Sequence, residues 1–134
     1  MSTQIAPTSF KCATTLTAYR GVVIASTSAE TVSFPETNTA LPIGITADTA
    51  RNGYVGVYGA GQIAKLYFNE TMAAGRLVAL DSSGRGVPFT VGTQTTTGMT
   101  IQSCYIGVLV GPAVTATGTI ADVFIQPGFA RGTS

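Results

Sequence analysis

Apolar residues in this chain come in short bursts separated by small polar ones. The runs "RGVVIA", "TVSF", "PIGITA", "GYVGVY", "QIAKLYF", "RLVAL", "GVPFTV", "SCYIGVLV" and "TIADVFIQ" are each strand-sized and rich in valine, isoleucine and aromatics. Turn-forming clusters punctuate them at short, fairly even intervals: "STS" at 26–28, "PETNTALP" at 35–42, "RNG" at 51–53 and "GAG" at 59–61. Further along come "NETMAAG" at 69–75, "DSSGRG" at 81–86, "GTQTTTG" at 92–98 and "GPAVTATG" at 111–118. Many short strands with turns every 8 to 12 residues or so indicate a sandwich or barrel. No long window keeps a 3.6-residue apolar period free of glycine or proline, and the best helical candidate, "NETMAAG", is one or two turns long. The pattern predicts an all-β chain: a single compact barrel or sandwich of about nine short strands, mostly antiparallel. Residues 1–12 read as a flexible N-terminal arm, 13–130 as one β domain, and 131–134 as a frayed C-terminus. "PETNTALP" and "GTQTTTGMT" read as long loops.

Composition supports the same class. Of 134 residues, 22 are threonine and nine are serine, while only 10% are charged. Threonine is stiff at its first side-chain torsion and suits a pleated surface better than a helix interior. A formal net charge of +1 offers nothing to attract nucleic acid or anionic membrane. Low charge with positive mean hydropathy also implies association, because it leaves little self-repulsion and much apolar surface. The start "MSTQIAPTSFKC" carries no basic patch followed by an apolar stretch, and the longest apolar run, "YIGVLVGPAV", is broken by glycine and proline. The expectation is a chain made in the cytoplasm, not secreted and not membrane-spanning. On that expectation Cys12 and Cys104 stay reduced and buried, and the sequon "NET" at 69–71 has no role.

One stretch suggests chemistry. In "YVGVYGAGQIAKL" Gly59, Gly61 and Ala64 spell G-x-G-x-x-A after an apolar run, and Asp81 lies twenty residues beyond Gly61. A dinucleotide site would then need a helix whose first turn faces the pyrophosphate. The following "QIAKLYFNETMAAG" instead alternates, with Ala64, Leu66 and Phe68 against Lys65, Tyr67 and Asn69. The context favours a turn between two antiparallel strands, "GYVGVY" and "QIAKLYF", with the glycines supplying backbone freedom. Asp81 opens "DSSG", a turn in its own right.

Other chemistry is thinner still. The chain has no histidine, which removes Ser-His and Cys-His pairs and the common zinc ligand sets. Glu30, Glu36, Asp48, Glu70, Asp81 and Asp122 are scattered singly, as are the seven lysines and arginines. No catalytic, metal or cofactor residue is expected, and no small-molecule substrate. Tyr54, Tyr58, Tyr67 and Phe68 cluster around one predicted turn. They read as core or cross-strand packing, with a subunit or partner contact as the functional alternative.

The order of elements resembles the small capsid decoration, or cement, proteins of tailed bacteriophages. The likeness runs through "LPIGITADTARNGYVGVYGAGQIAKL", "TMAAGRLVALDSSGRGVPF", and the closing "IGVLV" and "GTIADVFIQPG"; its most specific piece is "AAGRLVALDSSGRGVP". It covers about residues 20–128. The resemblance implies a β domain that trimerises on the outer surface of an icosahedral head, clamps neighbouring subunits of the major capsid protein, and performs no chemistry. The alternative is another virion or tail β-module that binds a glycan or a protein partner.

Overall fold

The computed structural model describes residues 7–12, 16–25, 30–35, 41–89 and 104–129. It is all-β, with ten strands and no helix among these residues. Seven of the strands fall inside apolar runs, and β9 and β10 overrun the last two by one and three residues.

The first five build a closed barrel in the order β1-β3-β2-β4-β5: β1 Thr8–Cys12, β2 Gly21–Ile24, β3 Thr31–Ser33, β4 Pro42–Thr46 and β5 Tyr54–Tyr58. β1 closes it, running antiparallel to β5 and parallel to β3. This corrects one expectation. Residues 8–12 are not part of an arm but a barrel strand, in which Phe10 and Cys12 face the interior and pack against Val22, Val32, Val55, Val57 and Leu16. The strand escapes a sequence reading because "TSFKC" is mostly polar, its exposed positions being Thr8, Ser9 and Lys11. Residues 1–6, 13–15 and 130–134, and most of the two expected long loops, lie outside the described residues.

The other five strands form a second sheet, ordered β6-β10-β9-β7-β8: β6 Ile63–Tyr67, β7 Leu77–Leu80, β8 Gly86–Pro88, β9 Cys104–Gly111 and β10 Ile120–Phe129. Its named pairings are all antiparallel. A parallel bridge between Phe68 and Gly86 brings the two edges of the sheet together, so it curls around its own core. That core holds Leu66, Phe68, Val78, Ile106, Leu109, Val123 and Ile125, all essentially buried, with Ile45 of β4. Each such side chain contributes about 1.5–3 kcal/mol by leaving water. The exposed Lys65–Asp122 pair (3.4 Å), whose side chains keep 62% and 42% of their surface in water, adds at most about 1 kcal/mol. Apolar packing therefore holds the second sheet closed.

β4 and the segment before β2 join the halves. Thr46 is 1% exposed, and its hydroxyl donates to the Thr17 carbonyl (2.7 Å) while accepting from the Arg20 backbone N–H (3.0 Å). The Tyr67 N–H, on β6, donates to the Tyr19 carbonyl at 2.9 Å, and the Gly21 N–H donates to the Gly84 carbonyl at 2.7 Å. The stretch 17–21 thus supplies hydrogen bonds to both sheets. Tyr19 holds a left-handed φ of 63° to do so, a conformation that disfavours ordinary side chains.

Candidate functional site

The glycine motif does not form a hairpin. β5 ends at Tyr58 in the barrel and β6 begins at Ile63 in the second sheet, so Gly59–Gln62 is the crossing from one to the other. The expected pairing of "GYVGVY" with "QIAKLYF" is replaced by β5 with β1 and β4, and β6 with β10. A short turn permits either outcome, and longer-range partners decide it. The turn itself is well made. The Gln62 N–H donates to the Gly59 carbonyl (3.2 Å), and Gly61 takes φ +88° with open space where a Cβ would stand.

The amides that a pyrophosphate would need are already engaged. The Gly59 N–H donates to Gln62 Oε1 at 2.8 Å, and the Gly61 N–H to the Ile125 carbonyl at 2.7 Å. A strand, not a helix, follows the turn, and it turns Ala64 into the core. Asp81 belongs to the β7–β8 turn, as "DSSG" predicts. Its Oδ1 accepts from the backbone N–H groups of Ser83 and Arg85, both at 2.9 Å, and its Oδ2 from Arg85 Nε at 2.9 Å and Asn69 Nδ2 at 3.3 Å. Every one of these contacts braces the turn or its neighbour.

The four aromatic candidates do not share one site. Tyr54 and Tyr58 lie on β5, Tyr67 ends β6, and Phe68 follows it. Phe68 is fully buried in the second core, and Tyr58 packs against the same core from outside the barrel. Tyr67 carries the Arg20 guanidinium over its ring, 4.6 Å from the centroid. Tyr54 alone is open, 50% exposed. Alternation explains the split, since Tyr67 and Phe68 are consecutive and must point to opposite faces of the strand.

Two exposed features were missed by the sequence reading. The first is an apolar row across the outward face of the second sheet. Ile63 pairs with Phe124, Phe124 with Val108, and Val108 with Leu77, so four strands contribute one apolar residue each at the same level. Ile63 is 58% exposed, Phe124, Val108 and Leu77 are half-buried, and Val110 and Ile120 on the same sheet are open. The alternation of β6 and β10 hints at such a face, but only the register aligns the row. The second feature is polar. Arg51 and Lys11 both stand opposite Tyr54, one on each side, and all three are exposed.

Acid–base features are few. Among the described residues, no three of His, Cys, Asp and Glu come together to hold a metal ion, and no helix is long and apolar enough to cross a membrane. Cys12 and Cys104 are free, half-buried thiols on β1 and β9, and burial raises both above the ordinary thiol pKa.

The class defined by this geometry is a two-sheet all-β domain. A solved structure shares the fold. The chain is similar to the head fiber gp8.5 N base of bacteriophage phi29, with a TM-score of 0.62 and 16% sequence identity, over 91% of this chain and 93% of that one. No protein-family model matches the sequence, and no curated protein matches it.

Proposed function

We propose that this chain is a structural protein of a phage virion, and specifically a capsid decoration or cement protein without enzymatic activity. The observation that carries the reading is the likeness of nearly the whole fold to the base of a phage head fiber. The sequence resemblance to decoration proteins points the same way from different grounds. In this reading the chain acts as a homotrimer at three-fold positions on the outer surface of the head and bridges subunits of the major capsid protein. The apolar row Ile63–Phe124–Val108–Leu77 supports self-association, because an aligned apolar strip on an outward face loses least when another copy covers it. A trimer binding a repeating lattice gains avidity from several weak contacts at once. Light scattering tests the trimer, and co-sedimentation with phage heads tests the partner. Strictly monomeric protein that stays in the supernatant would refute both.

A second reading has a specific observation in its favour. The phi29 neighbour is the base of a head fiber, so this domain would anchor a projecting fibre and leave shell strength unchanged. Heating heads with and without the protein separates the two: cement raises the temperature at which heads open, and a fibre base does not.

A further inference from the structure

We infer that Arg51, Tyr54 and Lys11 form a docking row for a carboxylate-bearing protein surface. Resting on the function proposed above, that surface belongs to the phage head.

The row is built by backbone pairing alone. Arg51 and Tyr54 exchange N–H···O bonds of 2.8 and 2.9 Å across a two-residue turn, Asn52–Gly53, whose φ values are 53° and 79°. Two successive positive φ values define the tight hairpin turn whose twist matches its strands, and Asn-Gly is its preferred sequence. Tyr54 is paired on its other side with Lys11 of β1. Directly opposed residues on neighbouring strands share a face, with Cβ atoms roughly 5 Å apart. The neighbouring pair Phe10–Val55 faces the barrel core, so the Lys11–Tyr54 pair faces outward. The result is cation, phenol, cation in one line.

This charge is unspent. Neither Lys11 nor Arg51 makes an ion pair among the described residues, whereas Lys65 and Arg85 do. Asp48 lies three residues before Arg51, and Glu30 accepts the Lys11 backbone N–H through its carbonyl at 3.3 Å; both acids are exposed, and neither carboxylate pairs with either cation among the described residues. Two of the seven basic residues of a nearly neutral chain thus flank its most exposed tyrosine.

The chemistry names the occupant. Arginine grips a carboxylate through two parallel N–H bonds, lysine supplies a point charge, and tyrosine offers rigid contact area at low entropic cost. Tyrosine and arginine are enriched among the residues that dominate protein–protein binding. The pre-set turn limits the ordering cost of association. Two cations are too few for a nucleic-acid track, which needs a basic groove along the backbone. An acidic protein surface fits.

The test uses the full chain and heads purified from phage in which its gene is inactivated. Binding is compared for the wild type, Arg51→Glu, Lys11→Glu, Tyr54→Ala and a control, Arg76→Glu, an exposed cation beyond the row. Each row substitution should weaken head binding by about tenfold or more, and Arg76→Glu by less than about twofold. Wild-type affinity should fall as salt rises. Circular dichroism melts should coincide, since all four side chains are exposed. If a charge reversal disturbs folding, Arg51→Gln and Lys11→Gln replace it. Wild-type binding retained by every row variant would overturn the row while leaving the proposed function standing. Wild type that ignores the heads would overturn both. Row-dependent binding to a sialylated or sulfated glycan array, with none to heads, would assign the row to an acidic carbohydrate and overturn the protein partner.

Discussion

The central guanidinium carbon of Arg20 stands over the Tyr67 ring, 4.6 Å from its centroid. Beside it the Tyr67 N–H donates to the carbonyl of Tyr19, so side chain and backbone tie the same two segments together. Arg20 Nε is buried without a hydrogen-bond partner among the described residues. The ring therefore carries much of what keeps this cation in place. Tyr67→Leu should lower unfolding stability by about 1–2 kcal/mol beyond the lost area, and Tyr67→Phe should retain most of it. Urea titration of the two variants checks this.

Thr46 is the polar counterpart of that contact. Its hydroxyl is both donor to Thr17 and acceptor from Arg20 in a buried setting. Thr46→Val keeps the shape but leaves a carbonyl and an amide unpaired, at a cost of about 1–3 kcal/mol. Thr46→Ser should recover part of it. The midpoint of denaturant unfolding measures both.

Phe68 belongs to the core, in keeping with the packing reading of its sequence and not with the alternative of a partner contact. Phe68→Ala should cost roughly 3–5 kcal/mol through lost burial and the cavity left behind. Gly86→Ala should destabilise as well, since its Cβ would stand 2.7 Å from the Phe68 ring. Tyr54→Ala, at an exposed position, should leave stability within about 0.5 kcal/mol of wild type. Thermal melts of the three variants distinguish core from surface.

Gly61 tests the glycine motif. Its φ of +88° costs an alanine about 1–2 kcal/mol even though the space is open. Gly61→Asn should cost less than Gly61→Ala, because asparagine tolerates this region. Titration with NADH or FAD should give no binding signal with the wild type. Micromolar binding abolished by Gly61→Asp would reinstate a cofactor site.

The thiols predict an alkaline effect. Burial raises the pKa of Cys12 and of Cys104 in the folded chain. Above the unfolded thiol value of about 8.5, the unfolded state releases protons that the folded state still holds. The stability they contribute is fully present below that pH and is lost as pH rises through the folded values. Denaturant midpoints should therefore decline as pH rises above about 8.5. The decline should be shallower in the Cys12→Ala, Cys104→Ala double variant. Thiol titration of unfolded, unreduced protein should find both cysteines free.

How far the sequence foretold all this depends on range. Strands such as Tyr54–Tyr58 and Ile63–Tyr67 announce themselves by local alternation, and "DSSG" by its turn chemistry. β1 was illegible because Lys11 and Ser9 dilute its pattern, and only its pairings with β5 and β3 make it a strand. The parting of β5 from β6 was equally hidden. Gly59–Gln62 would read the same whether its flanking strands paired or went to different sheets, and distant β10 settles the matter. The candidate site suffered in the same way. Four aromatics near one another in sequence went to a core, a core edge, a cation and open water, while the row Arg51–Tyr54–Lys11 needed a long-range register to exist.

The proposed place of this chain is the outside of a phage head, and imaging of heads is the sharpest check of it. Cryo-electron microscopy would compare heads assembled with and without the gene for this chain. Trimeric density is expected on the outer surface at three-fold positions, absent from the deletion heads and restored by adding purified protein. Identical maps with and without the gene, or density confined to the interior of the shell, would contradict it.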